Sequence, residues 1–217
     1  MNDGIPVFYC DFSVIKISIT FVSMKEQLVE TIRLYNQKGW SPATSTNYSF
    51  REDDQIWVTR SGIDKAQITE NDFITVNQLA QSIGEFAEAV PSAETQIHCD
   101  IYQLLPDTQV ILHSHGKYPV LSSSVQLKSI QFEGFEIQKG FAGQKTHEGI
   151  IEIPIFDNHQ EMRFFSEQLE MRKSELEHSC FIIRKHGTYA WGKNLFEAKR
   201  HIETLDYLCE CWWEKNR

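Results

Sequence analysis

Two histidines one residue apart, His113-Ser114-His115, close an apolar run that begins at Val110. On a strand, residues i and i+2 point to the same face, so the two imidazoles stand side by side. Paired neutral imidazoles at a strand end suit a divalent transition metal, and Zn2+ is the commonest occupant of such sites. A third ligand is offered by Cys180-Phe181-Ile182-Ile183-Arg184-Lys185-His186-Gly187, a second apolar run that again ends in His-Gly. Both runs are expected to stop at the metal, with glycine letting the backbone turn away at once. A lone His-x-His is equally an ordinary polar strand end; the second His-Gly favours one ion held by His113, His115 and His186.

Anion capture is the other chemistry within reach. Gly39-Trp40-Ser41-Pro42-Ala43-Thr44-Ser45-Thr46-Asn47-Tyr48-Ser49 is dense in hydroxyl and amide side chains, with Thr44 and Asn47 among them. Arg60-Ser61-Gly62-Ile63-Asp64-Lys65 is a second small polar loop, and Ser92 stands at a helix start. Hydroxyls and backbone N–H groups in such places either make turns or hold a phosphate without a basic patch. A carboxylate, Glu136, lies among apolar residues in Phe132-Glu133-Gly134-Phe135-Glu136-Ile137-Gln138-Lys139-Gly140.

The elements that must position these groups follow from periodicity. Leu28, Val29, Ile32 and Tyr35 recur at helical spacing over 24–38, with Gly39 as the C-terminal cap. Strands are predicted at 48–51, 56–59 and 73–76, whereas 78–90 carries conflicting helical and breaker signals. Ser92 is expected to cap a helix with the buried stripe Ile97, Ile101, Leu104 and Leu105, which leads to the strand at 110. A short helix near 118–123 and a strand over 150–156 follow. A helix over 160–176 with Phe164, Phe165 and Leu169 inward precedes strands at 180–186 and 188–191. Asn194 and Glu197 open the last helix, with Ile202, Leu205, Leu208, Cys209 and Trp212 as its stripe. Strands and helices mix without strict βαβ alternation, which predicts a three-layer α/β fold with a central, mostly antiparallel sheet flanked by helices.

The chain of 217 residues is long enough for one full core. Residues 1–23 are expected to be a peripheral extension, or the product of an upstream start codon, and 24–217 a single domain. A net charge of -9 without a basic cluster argues against nucleic acid or an anionic membrane as partner. Five cysteines with no C-x-x-C pair fit a reducing, cytoplasmic setting. Neither a signal peptide nor a membrane span is expected. His98, His147, His159, His178 and His201 are expected in packing or surface roles, and the cysteines as small buried residues.

Several segments, in order, carry a resemblance. They are Gly39-Trp40-Ser41-Pro42-Ala43-Thr44-Ser45, Pro91-Ser92-Ala93-Glu94-Thr95, His113-Ser114-His115, Gly134-Phe135-Glu136-Ile137-Gln138-Lys139, Thr146-His147-Glu148-Gly149, and Arg184-Lys185-His186-Gly187-Thr188-Tyr189-Ala190-Trp191-Gly192. Together they resemble the class II aldolase/adducin family from about Met24 to the C-terminus. Thr46 departs from it, standing where the family usually has glycine, so that its side chain could narrow the phosphate loop. The resemblance implies a homotetramer with active sites near subunit interfaces, one Zn2+ per subunit, no organic cofactor, and a small phosphorylated ketose as substrate. It further implies loss of water from 5-methylthioribulose 1-phosphate, with Glu136 as acid/base and Glu94 either structural or near the metal. Thr44, Asn47, Ser61, Gly62, Ser92 and Lys139 are the expected phosphate contacts. A sugar-phosphate aldolase, in which Glu94 is the acting carboxylate, and a non-catalytic adducin-like module are the competing readings.

Overall fold

A computed structural model describes residues 22–217, so the expected extension lies outside the described residues but for Val22 and Ser23. The first helix, α1, spans Met24–Gln37 and leads to the strands β1 (Tyr48–Glu52), β2 (Gln55–Thr59) and β3 (Phe73–Val76). Then come α2 (Thr95–Leu104), β4 (Val110–Ser114), α3 (Lys117–Ser122) and β5 (Ser129–Glu133). The chain ends with β6 (Ile150–Phe156), α4 (Met162–Met171), β7 (Cys180–Ile183), β8 (Gly187–Gly192) and α5 (Leu195–Asn216). The strands form one sheet in the order β3-β2-β1-β4-β8-β7-β6-β5. Every neighbouring pair is antiparallel except β6 with β7.

Alternation along the strands splits the core into two layers. Val110 and Leu112 of β4 pack with α1 and α5 through Leu28, Ile32, Ile202 and Leu205. Ile111, on the other face, packs with Ile97 and Tyr102 of α2 and Phe165 and Leu169 of α4. This is the expected three-layer arrangement.

Local chemistry explains where the elements depart from periodicity. Over 78–90 the Asn77 carboxamide accepts the N–H groups of Leu79 and Gln81, which bends the chain into a turn and leaves only a short 3-10 segment at Gly84–Phe86. Ser92 does not cap α2. The helix begins at Thr95, and the Ser92 hydroxyl accepts the Glu94 N–H at 3.3 Å instead. α4 stops at Met171, and Phe164 is exposed while Phe165 and Leu169 are buried. β5 was not anticipated as a strand, although Ile130 and Phe132 alternate inward with Gln131 and Glu133 outward.

At the end of α1 the N–H of Gly39 reaches Asn36 O and that of Trp40 reaches Tyr35 O, both at 2.9 Å. These two bonds, with Gly39 at φ +76°, make a Schellman motif, and the Tyr35 and Trp40 rings lie 4.7 Å apart over it. The motif aims the Trp40 carbonyl at β4, where it accepts the His115 N–H at 2.8 Å.

The 60–65 loop is anchored by Asp72. Its carboxylate accepts the Thr69 N–H (2.8 Å) and hydroxyl (2.9 Å) and takes Arg60 at 2.8 Å. Burial alone would raise this carboxyl, but the bonds from Thr69 and Arg60 outweigh it and hold it below the usual carboxylate range. A depressed folded value means stability that is present above the unfolded pKa of about 3.9 and lost as pH falls toward the folded value. Asp72→Asn should therefore cost about 1–3 kcal/mol at neutral pH. It should also flatten the acid limb of the stability curve below about pH 4. Denaturant melts across pH check both; an unchanged acid limb would show that Asp72 does not carry it.

Candidate active site

The site lies where β4, the β7–β8 hairpin and the start of α2 meet. β4 and β8 pair from Val110↔Gly192 to Ser114↔Thr188, which brings the His113–His115 end of β4 against the hairpin. His186 stands in the three-residue connection between Ile183 and Gly187 rather than on the strand, its N–H closing a turn onto Ile183 O at 3.1 Å. Lys185, in the middle of that turn, has φ +55°.

Gly187 has a different purpose from the one anticipated. Its φ is ordinary, but a Cβ there would collide with the backbone carbonyl of Ser114 and lie 3.0 Å from His115 Cδ2. The two backbones can approach only because that atom is missing. Gly116 likewise leaves room for a side chain, the carboxylate of Asp206.

The three imidazoles converge. One ring nitrogen from each of His113, His115 and His186 lies within 4.8 Å of the others. His113 is fully buried and donates Nδ1–H to Thr188 O at 2.8 Å, which turns its Nε2 lone pair toward His115 Nε2, 2.9 Å away. A tautomer fixed by a backbone carbonyl is the usual preparation of a metal-binding imidazole. Burial, with His113 and His186 alongside, pushes the His115 pKa down to about 3 and keeps that ring neutral. His186 Nδ1 is buried without a hydrogen-bond partner. Facing ring nitrogens beside a carboxylate fit a divalent cation.

That carboxylate is Glu94. Its Oε1 lies 2.8 Å from His186 Nε2 and its Oε2 lies 3.3 Å from His113 Nε2. Oε2 also accepts Asn47 Nδ2 at 2.9 Å and the Tyr189 hydroxyl at 3.1 Å. Burial pushes this carboxyl up, but His113 and His186 outweigh it and hold Glu94 ionised, well below the usual range. Tyr189 stacks on His113 with ring centroids 4.1 Å apart. Burial, and then Glu94, raise its phenol well above the ordinary value, so it acts as a donor.

The small-residue loops gather at the same end of the sheet. Asn47 donates to Ser92 Oγ at 3.2 Å as well as to Glu94, and its carbonyl accepts the His113 N–H. Ser61 N–H bonds Val90 O, just before Ser92. Lys65, which the sequence did not single out, is 1% exposed. Its ammonium donates to Ile63 O (2.9 Å) and Thr44 O (3.4 Å), joining the loops that carry Gly62 and Thr44. Burial lowers its pKa against the attraction of Asp64 and Asp72. Thr46 has φ +72°, the left-handed region that its usual glycine counterpart occupies freely and a β-branched residue does not.

Glu136 and Lys139 are not brought to this site within one chain. β7 leads toward His186, β6 runs parallel to it, and β5 runs back antiparallel, so residues after Glu133 leave the opposite end of the sheet. β5 is moreover four strands from β4, roughly 19 Å at ordinary strand spacing. The Glu136 side chain is 72% exposed and pairs with Lys139 at 2.5 Å and with His147 at 3.2 Å. The raised pKa expected for an acid/base is not found in the single chain; Lys139 holds this carboxyl below its usual value.

Of the other histidines, His98 is fully buried, bonded to Asn47 and Ser49, and takes no part in the ring cluster. Its buried role was expected; its attachment to Asn47 was not. The only sequence clue was its position one turn after Glu94 on a helix.

Gly187→Ala should force β4 and the hairpin apart and cost about 1–3 kcal/mol. It should also weaken metal binding, because His115 lies against the added methyl. Thermal melts and zinc titration of the purified variant check this, and unchanged values in both would mean the close approach is not needed.

The residues over 26–213 match the family model described as Class II Aldolase and Adducin N-terminal domain. The chain is 45% identical over 196 residues to a methylthioribulose-1-phosphate dehydratase of Picosynechococcus sp., covering 89% of this chain and 92% of that protein. It is 40% identical to the same-named protein of Citrobacter koseri over 188 residues, covering 85% and 91%. Among solved structures, L-fuculose-1-phosphate aldolase from Thermus thermophilus superposes with a TM-score of 0.68 at 20% identity, covering 88% of this chain and 95% of that one. Another L-fuculose 1-phosphate aldolase gives a TM-score of 0.71 at 17% identity, covering 90% and 87%, a likeness of fold. The sheet order, the converging histidines and these matches agree: the chain belongs to the class II aldolase/adducin family.

Proposed function

We propose that this protein is a hydro-lyase of methionine salvage that converts 5-methylthioribulose 1-phosphate to 2,3-diketo-5-methylthiopentyl 1-phosphate. The observation that carries this reading is the convergence of His113, His115 and His186 in a chain whose near-full-length relatives are dehydratases of that substrate. A reducing, cytoplasmic setting is supported by the four cysteines among the described residues, all free.

The reaction removes the proton on C3, next to the C2 carbonyl, and leaves an enediolate. Its electron pair then expels the C4 hydroxyl, which takes a proton and departs as water. The enol that remains gains a proton at C4 and becomes the diketone. Zn2+ held by the three imidazoles would act as a Lewis acid on the substrate oxygens and lower the cost of the negative charge. Glu94, kept ionised beside His113 and His186, holds the ligand rings and Tyr189 in place. A carboxylate held below its usual range is a poor donor of the proton that the leaving C4 hydroxyl needs, which disfavours Glu94 as the acid.

Phosphate capture falls to the loops around Thr44, Asn47, Ser61, Gly62 and Ser92. Two features support this. Ser45 Oγ is buried without a partner, and Lys65 is a buried ammonium with no carboxylate in ion-pair range among the described residues. Lys65→Met should raise KM for the phosphorylated substrate and the inhibition constant of inorganic phosphate by about tenfold, with kcat little changed. If neither constant moves, the charge that selects the phosphate lies elsewhere.

Glu136 and Lys139 serve a neighbouring copy's site in a homotetramer. Their place at the far end of the sheet supports this, as does their exposure, since burial under a second copy would raise the Glu136 carboxyl toward the working range. Glu136→Gln should lose about 10²–10⁴-fold in diketone formation while zinc content stays the same. Mixing Glu136→Gln and His113→Ala chains should restore activity at about a quarter of the sites, those that draw an intact residue from each chain. A second reading, with Glu94 as base, is favoured by its contacts with His113 and His186. Full activity in Glu136→Gln and none in Glu94→Gln, with retro-aldol fragments as product, would establish it.

A further inference from the structure

Beneath Glu94 runs a chain of buried polar groups whose donor order is determined at every link. Asn47 Nδ2 faces the ionised Glu94 Oε2 at 2.9 Å, and a carboxylate only accepts, so the amide nitrogen points at Glu94 and the amide oxygen points away. That oxygen meets His98 Nε2, which must therefore carry the proton. Burial keeps the ring neutral, so His98 Nδ1 is an acceptor, and it lies 2.6 Å from Ser49 Oγ, whose hydroxyl donates to it. With its proton committed, Ser49 Oγ accepts from the Tyr102 hydroxyl at 2.8 Å. Every donor runs one way: Tyr102 to Ser49, Ser49 to His98, His98 to Asn47, Asn47 to Glu94.

We infer that His98 is a positioning residue, which fixes the amide orientation of Asn47 and through it holds the Glu94 carboxylate against His113, His186 and Tyr189. The inference rests on the reading of this cluster as the reaction centre. An asparagine amide has two orientations of nearly equal shape, and the wrong one would set a carbonyl oxygen against Glu94. No group on Asn47 itself chooses between them. His98 chooses on the oxygen side, as Glu94 does on the nitrogen side, because a protonated Nε2 can meet only the amide oxygen. The ring is fully buried, and its edge packs on Tyr189 with centroids 5.4 Å apart, so it cannot swing away. Burial, with His113 nearby, pushes its pKa to about 3, which leaves the ring in one neutral form that these contacts accommodate.

Two conservative variants separate positioning from packing. In His98→Gln the side-chain amide nitrogen falls near the place of Nε2 and can still donate to Asn47. In His98→Asn the shorter amide falls near Nδ1, keeps the Ser49 contact and loses Asn47. The zinc-loaded His98→Asn enzyme should lose kcat by roughly 10–100-fold, the usual effect of removing an outer support of a metal centre, with little change in KM. His98→Gln should stay within a few-fold of wild type. Equal kcat in the two variants would overturn the inference, because packing alone does not distinguish them. A second arm needs no substrate. Long-range 1H–15N correlation spectra of the zinc-loaded protein should show one histidine, absent in His98→Gln, protonated on Nε2 alone across pH 5.5–8.5 (about three units around the ordinary histidine pKa). A proton on Nδ1, or a titration within that range, would refute the donor order. Should the wild type prove inactive on the ketose phosphate, this arm still decides the matter independently of the assigned reaction.

Discussion

The pairing of β4 with β8 is the constraint on which everything else depends. Five consecutive pairs hold the strands in register, and the last of them places His113 and His115 beside a hairpin tip that carries His186. Register in a buried sheet is strongly specified, since a slip of one residue would turn every side chain to the other face. Here such a slip would send His113 into the apolar layer with Leu112's neighbours and bring Leu112 or Ser114 to its place. The hydrophobic alternation that builds the core therefore also aims the ligands.

A buried cluster of three imidazoles, a carboxylate, an amide and two phenols is costly unless its members satisfy one another. The structure meets that cost link by link. Thr188 O takes the His113 proton, Glu94 accepts from Asn47 and Tyr189, and the Asn47 backbone carbonyl takes the His113 N–H. The buried atoms left without a partner near this end of the sheet include His186 Nδ1 and Ser45 Oγ, together with Thr95 Oγ1 beside Glu94 and Asp206 Oδ1 against Gly116. Rigidity arrives from outside the cluster, through the Schellman end of α1 that hands the Trp40 carbonyl to His115, and through Asp72, which anchors the second loop.

Much of this was visible in the residues themselves. His113 and His115 share a face because a strand has period two, and the three-layer fold follows from amphipathic helices alternating with strands. What was hidden depended on contacts between distant segments. Asn47 was legible as a polar loop residue, yet nothing local says that its amide is shared between Ser92 and Glu94. His98 sits at helical spacing among apolar neighbours and looks like packing until Ser49 is placed opposite it. Lys65 reads as a surface lysine on composition; only the closing of two loops over it buries the ammonium. Glu136 was found by motif, but its distance from the histidines follows from the direction of β5, which periodicity does not reveal. The Ser92 cap failed because its hydroxyl serves Glu94 and Asn47, a competition that helix-start statistics do not contain.

Of the three rings, His113 sits on a paired strand and His115 just past its end, while His186 rides on a hairpin tip. The relative placement of the three rings therefore depends on how firmly that tip is held. That tip is stapled by Arg184, whose guanidinium reaches Asp157 and the carbonyls of Ser123, Val125 and Leu127, and Lys185 N–H adds a bond to Ser123 Oγ. The geometry of the ring cluster thus rests on a residue outside it: Arg184 fixes the tip that carries His186 through bonds that go to Asp157 and to the 123–127 segment.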